Sequence, residues 1–368
     1  MKNMFKIASL LAAAVMLFAC EKANTSGELK IISDKDVIQA DGQDAAVIKV
    51  MFGTKDVTSS AVIYDQYDKE VVLVDGKFTA SKAGEYKFCA DYGAMSTYRK
   101  NDPDCYYVIK AINVAVPEAP ADPQPENTSF VHRTFLTQYT GTGCGYCPYM
   151  IRILRGVMEE GYIPSKAVLA AVHSYGSSDP AFIAAPKVQN YPYLTLDLVQ
   201  GFSHSGSTTE QLLALIDEHT AGAAKAGISV SPKYYEKEKL LVVKVAVKAA
   251  VAGTFNVGAW LLEDGIVGQQ SDYDNVGDDT FDVHENCVRI ADSRYSTTWF
   301  GHLLSEAEAG DVMEKTFVMN IKPDWNLDKL HLAVFASHGE VDGSRIAYTV
   351  CNAVDVPINK ETPFEYAK

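Results

Sequence analysis

Hydrophobic and polar positions change their period twice along this chain. From about Glu28 to Val116 the apolar residues come in short runs: LKIIS, AAVIKVMF, AVIYDQY, GKFTAS, GEYKFCADY and YYVIKAINV. Alternation is visible around Val47, Lys49 and Met51, and again around Tyr86, Phe88 and Ala90. A period of two puts alternate side chains on one face, so these runs predict strands, with DGQD, DGK and KAGEY as the turns. After residue 130 the period lengthens. FVHRTFLTQYTG reads as a strand, after which Met150, Ile151, Leu154, Val157 and Met158 fall on one face of a helix that Gly161 stops. KAVLAAVHSY is apolar almost throughout, which suits a buried parallel strand. YPYLTLDLV, opened by Pro192, predicts another strand. Ser207 with Glu210 and Thr208 with Gln211 are overlapping capping boxes for a helix carrying Leu212, Leu213, Leu215 and Ile216. From about Ala226 the two-residue period returns: Val243, Val245 and Val247 alternate against Lys244 and Lys248, and TFNVGAWLLEDG, KTFVMNIK and KLHLAVFAS follow.

These shifts predict a multidomain chain, since its length exceeds what one core accommodates. The expected units are an all-β domain over 28–116, a linker over 117–129, an α/β domain over 130–224 and an all-β sandwich over 225–368. Pro117, Pro120, Pro123 and Pro125 predict a stiff, extended linker. The IQADGQDAAVIKV and FTASKAGEYKF segments of the first domain resemble bacterial immunoglobulin-like domains, which implies a spacer or binding module. The stretch from Gln269 to Gly301 is too long for an ordinary connection and is a candidate functional loop.

The first nineteen residues have the basic-then-apolar order of a signal peptide, with Lys2 and Lys6 ahead of Ile7 to Phe18. Leu17-Phe18-Ala19-Cys20 resembles the bacterial lipobox, which implies lipidation at Cys20 and a tether over residues 20–27. Glu21, rather than Asp, favours the outer membrane, with the occupied face left open. The formal net charge of -14, with no basic patch, argues against nucleic-acid partners.

An exported chain meets an oxidising compartment where cysteines tend to pair. Of seven cysteines, Cys20 is assigned to lipid, and placement within domains suggests Cys89 with Cys105, Cys144 with Cys147, and Cys287 with Cys351. In GTGCGYCPYM, Cys144 is expected at a helix N-terminus, where unpaired N–H groups and the helix dipole favour a thiolate. It is the natural attacking thiol, and Cys147, one turn on, is placed to resolve a mixed disulfide. His173 ends the parallel strand at the same edge, where it either tunes that thiolate or serves as a satisfied structural histidine. No cofactor is expected. Zinc would need a second ligand pair, which the remaining cysteines and histidines do not offer. A static Cys144–Cys147 disulfide is the stronger rival to exchange chemistry. DYDNVGDDTFDV imitates a calcium loop at its first, third and sixth positions, but Val276 and Val283 stand at its fifth and twelfth, so a solvated acidic loop is expected. Trp260 and Trp299 are read as core aromatics before glycan-binding ones.

The Cys-Gly-Tyr-Cys constellation resembles the thioredoxin fold and the active sites of periplasmic disulfide isomerases. That resemblance assigns Pro192 as the proline, usually cis, beside the cysteines that docks substrate. Gly143 stands where many thioredoxins have tryptophan, so the usual peptide-docking surface does not carry over. From Phe130 onward, FLTQYTGTGCGYCP, AAVHS, HENCVRIAD and VCNAVDV resemble the outer-membrane-protein-twenty-eight lipoproteins of the Bacteroidetes. That family implies a thioredoxin-like domain followed by a β-sandwich at the outer membrane, without an established reaction. The expectation is thiol–disulfide exchange on thiols or disulfides of exported proteins. The alternative is a non-enzymatic surface module, adhesive or ligand-binding, in which Cys144–Cys147 is a structural bridge.

Overall fold

A computed structural model describes residues 27–102, 105–185, 188, 190–292, 299–342 and 345–368. The signal segment and Cys20 lie outside the described residues. The molecule is built mainly from strands in several sheets. Among the described residues no helix is long and apolar enough to cross a membrane.

The first unit is two sheets facing each other. One contains Leu29–Ser33, Ala45–Phe52, Lys55–Asp56 and Lys77–Thr79; the other contains Val37–Gln39, Tyr107–Ile112, Gly84–Tyr92, Val62–Asp65 and Met95–Ser96. Strict alternation turns Ala46, Ile48 and Val50 inward, against Ile38, Phe88, Ala90 and Ile109, while Val47, Lys49 and Met51 form the outer face. Cys89 and Cys105 are buried free thiols, contrary to the bridge expected from their placement. The Cys89 thiol is turned across the sheet to the Tyr64 carbonyl, 3.9 Å away.

The linker does not stand free. The ammonium of Lys248, 1 % exposed, reaches Asp122 Oδ2 at 2.9 Å and the Gln124 and Pro125 carbonyls at 3.3 and 2.5 Å. Tyr366 donates to Asp122 Oδ1 at 2.6 Å. Lys248 lies on the face opposite Val243, Val245 and Val247, as the alternation predicts, and the linker covers that face. Ala119 adds an apolar contact by packing with Phe130, Ala246, Phe364 and Tyr366.

The α/β unit starts with a leading strand, Thr134–Thr140, every residue of which is buried. The cysteine helix, Cys147–Glu159, follows; then come the histidine strand Ala167–His173, the proline strand Tyr193–Leu196, the short strand Gln200–Phe202 and the helix Thr209–Thr220. The leading strand pairs parallel with the histidine strand and antiparallel with the proline strand. Met150, Ile153, Leu154 and Val157 form the buried stripe of the cysteine helix, with Ile153 taking the place expected for Ile151. Gly161, at φ +74°, donates its N–H to Met158 at 2.9 Å and ends the helix as its sequence implies. Of the two capping boxes the structure uses Thr208 with Gln211.

The boundary expected at 224/225 is not a boundary of the sheet. Its strand order is Gln200–Phe202, proline strand, leading strand, histidine strand, Cys287–Ala291, Gly253–Glu263, Leu330–Asp342 and Arg345–Pro357, so it runs from the α/β unit into the sandwich. It curls back far enough for Arg133 N to donate to Asn352 Oδ1 at 3.0 Å and Val350 N to the Asp197 carbonyl at 3.3 Å. Leu136 therefore packs under the helices, while Phe135 stacks on Phe335 at 4.9 Å and meets fully buried Trp260 edge-on at 5.2 Å. Ala226–Tyr235, Leu240–Ala249 and Val312–Asn320 form the second layer of the sandwich.

Cys287 and Cys351 are buried free thiols, which corrects the expected pairing. Their strands are separated by Gly253–Glu263 and Leu330–Asp342 within the sheet. Three interstrand steps of about 4.8 Å put the backbones roughly 14 Å apart, twice a disulfide's reach. Cys351 packs in the sandwich core, and Cys287 lies against Ala181 and Ile266.

Candidate functional site

Three residues singled out from the sequence meet at one end of the leading strand. Thr140 is paired with His173, and Pro192 lies one residue beyond the Tyr139–Tyr193 pair on the other flank. The Tyr191–Pro192 peptide is cis. From Thr140 the chain turns through Gly141–Tyr146, with Cys144 N donating to the Gly141 carbonyl at 3.0 Å. The helix begins at Cys147, with Tyr146 as its N-cap, so Cys144 stands just ahead of the helix instead of inside its first turn. Pro148 falls where no helical N–H is needed.

Cys144 and Cys147 are joined as a disulfide. Cys144 is 3 % exposed and Cys147 is fully buried, though Tyr146 between them is 48 % exposed. The cover comes from the long segment that began as a candidate loop. Residues Gln270 to Asp274 lie over the cysteine turn as a strap: Ser271 N donates to the Thr142 carbonyl at 2.7 Å and Tyr273 N to the Gly145 carbonyl at 3.1 Å. The Gln270 side-chain amide reaches the Cys144 carbonyl at 2.9 Å and the Thr142 carbonyl at 3.3 Å. The Tyr273 ring packs on Gly145, where an added Cβ would come within 2.4 Å of it, and meets Tyr146 edge-on at 5.4 Å. Gly145 is thus required by close approach.

Side chains of the cysteine helix complete the attachment. Tyr149 donates to Asp274 at 2.9 Å, and Arg155 bonds Thr280 while lying 4.0 Å over the Phe281 ring. The acidic residues of this segment act as turn and strap acceptors: Asp272 takes Gly277 N, Asp278 takes Thr280 N, and Asp282 takes Gln270 N. Burial pushes the Asp272 carboxyl up, but the backbone donors around it outweigh that and hold it low.

His173 faces neither cysteine of the pair by any bond in the structure. Its Nδ1 is 2.9 Å from Asp179 Oδ2, and its Nε2 is 3.5 Å from the Cys287 thiol. All three groups are buried, with His173 at 1 %, Asp179 at 6 % and Cys287 at 0 % exposure. Asp179 also accepts from Thr142 N at 2.6 Å and Ala181 N at 2.8 Å, tying this cluster to the cysteine turn. Burial raises the Asp179 pKa, but His173 and the two backbone donors outweigh it and bring it to about 2. Burial pushes the Cys287 thiol well above its ordinary value, with Asp179 adding to the rise.

Sequence reasoning named Cys144, Cys147, His173 and Pro192 and missed Asp179, Gln270 and the meeting of His173 with Cys287. The Asp-Pro pair at Asp179 signals a turn. No local pattern marks Gln270, whose partners in the cysteine turn lie more than one hundred residues earlier.

No family model matches the chain, and no curated protein matches it. Among solved structures, HBP35 of Porphyromonas gingivalis is similar at 17 % identity and TM-score 0.49, over 64 % of this chain and 78 % of that one. A domain of the outer membrane lipoprotein Omp28 from the same organism is similar at 16 % identity and TM-score 0.24, over 37 % and 89 %. The second neighbour is from the group that the sequence resembles, and neither likeness carries an argument about activity.

Proposed function

We propose that this chain is an outer-membrane lipoprotein in which a thioredoxin-like unit serves as the scaffold of a non-enzymatic surface module, with Cys144–Cys147 as an internal bridge. One observation carries the reading: the bridge is 3 % and 0 % exposed beneath a strap from the later part of the same chain. A thiol-exchange catalyst must present its attacking sulfur to a protein substrate, and here main-chain and Gln270 bonds occupy that approach. The order of leading strand, cysteine helix, parallel strand, antiparallel strand, hairpin strand and helix supports the thioredoxin-like assignment. Attachment rests on Cys20 as the lipidated residue, and Cys20→Ser is expected to move the chain from the membrane to the soluble fraction.

The deciding experiment is the reduction potential of the Cys144–Cys147 pair, with insulin reduction assayed alongside. A bridge that resists reduction below about -300 mV, without turnover, is expected. A potential of roughly -120 to -270 mV, with turnover lost in Cys144→Ser, would overturn the scaffold reading.

That second outcome belongs to a specific alternative: exchange on thiols or disulfides of exported proteins, with Cys144 attacking, Cys147 resolving and Pro192 docking substrate. The common sheet edge of the cysteine turn and Pro192 favours it. It requires the strap to lift, so insulin turnover should then rise in a Gln270→Ala, Tyr273→Ala double variant.

A further inference from the structure

We propose that Cys287 is a second thiol site, a base-activated nucleophile for small disulfides, with His173 as its base, Asp179 as the positioning residue and the strap as its cover. The argument is geometric. With its proton on Nδ1, His173 donates to the ionised Asp179 carboxylate 2.9 Å away, and that tautomer leaves the Nε2 lone pair pointing away from Asp179. What Nε2 faces, at 3.5 Å, is the Cys287 thiol. A nucleophile within hydrogen-bonding reach of a base, itself oriented by a third group, is the arrangement that activates a weakly acidic thiol. Cys351 is the comparison inside the same molecule: burial raises both thiols, and it is Cys287 that has an imidazole nitrogen 3.5 Å away. Cys351 is 8 % exposed, and burial raises its pKa to about 12.

The charged and titratable groups around the site come from several segments of the chain. Asp179 and His284 face His173, the latter with ring centroids 5.0 Å apart, and the Asp282 charge acts on His284. Asp264, Glu285 and Arg289 act on the Cys287 thiol. The cover is continuous with the strap: His284 Nε2 bonds the Gly268 carbonyl at 2.8 Å, and Gly268 packs against Pro180 and Thr142. A ligand reaches Cys287 when this segment lifts.

Thiol–disulfide exchange suits the site because displacement at sulfur needs no oxyanion pocket. Cys287 Sγ gives its proton to His173 Nε2 and attacks one sulfur of the small disulfide. A new S–S bond forms as the old one breaks, and the departing thiolate takes the proton from His173. One disulfide is consumed and one mixed disulfide is made, with no net oxidation. The site does not depend on the reducibility of the Cys144–Cys147 pair.

The test treats the purified full chain with 2,2′-dithiodipyridine between pH 6 and pH 9 and maps the modified cysteines by peptide mass spectrometry. Gln270→Ala serves as a background with a loosened strap. In that background Cys287 is expected to react on the order of 100-fold faster than Cys351. Its rate should be nearly flat above pH 7, since assisted attack does not depend on thiolate already formed. An unassisted thiol rises about tenfold per pH unit below its pKa. His173→Gln and Asp179→Asn should each restore that rise, a change that a purely structural role would not produce. The proposal is overturned if Cys287 reacts no faster than Cys351 in the Gln270→Ala chain. It is equally overturned if the wild-type and Gln270→Ala profiles both climb tenfold per unit. The wild-type profile needs no substituted core residue, so misfolding of His173→Gln does not rescue the idea.

Discussion

Two long polar side chains from the sandwich hold earlier segments of the chain, and they do so differently. Lys248 holds the linker through Asp122, Gln124 and Pro125; Gln270 holds the cysteine turn through Thr142 and Cys144. The first is a buried cation matched to a carboxylate, and breaking such a pair on one side is costly. The second is a neutral amide on backbone carbonyls, worth roughly 1 kcal/mol of net stability per bond. One is built as a fixed clamp. The other is a latch, on a segment whose own Tyr273 is 63 % exposed.

The contrast is most exposed at Lys248. Lys248→Met should lower stability by about 3–5 kcal/mol in urea unfolding and open residues 117–129 to limited proteolysis. An unchanged midpoint with an intact linker would remove the clamp from the account.

His331 lies between these extremes because its charge can be removed by pH. It bonds Asp355 at 2.8 Å and has Asp264 at 3.4 Å. Burial lowers its pKa, but the two carboxylates outweigh burial and raise it to about 9. A folded-state value above the ordinary 6.5 means that the contribution is complete below that pH and is lost as pH rises toward 9. The loss should be on the order of 3 kcal/mol across that window, seen in denaturant midpoints and flattened in His331→Gln. A slope that survives in His331→Gln would assign it to other groups.

At the latch, Gln270→Ala should cost only about 1–2 kcal/mol while speeding dithiothreitol reduction of Cys144–Cys147. Equal reduction rates in both chains would mean that the strap does not limit access. The smallest effect belongs to a helix cap whose bonds involve neither the linker nor the strap. Thr208→Ala, which removes the cap bond to Gln211, should cost about 1 kcal/mol. It should leave the reduction rate alone; a faster rate there would show that general loosening, not the latch, controls the disulfide.

Local order was legible in the sequence because its causes are local. Period two marked the strands, the Met150–Val157 stripe and Gly161 marked the cysteine helix, and the apolar run Ala167–His173 emerged as the buried parallel strand. The same reading placed Lys248 on the face opposite Val243, Val245 and Val247 but could not show its burial, because alternation tells which face a side chain occupies and not what later covers that face. It misjudged Cys287 with Cys351. Placement in one domain suggested a bridge, whereas strand order keeps them three positions apart.

What this sequence determined by itself is the order of the main elements and the pairing of Cys144 with Cys147, both written in spacings of a few residues. Only the tertiary structure decided that the turn is covered, that His173 belongs to Cys287 and Asp179, and that the α/β unit and sandwich share one sheet. Those outcomes depend on groups separated by more than one hundred residues, as Gln270 is from Gly141 by 129 and Arg133 from Asn352 by 219. Which distant groups meet is set by strand order and by how the sheet curls, and no short-range period encodes either.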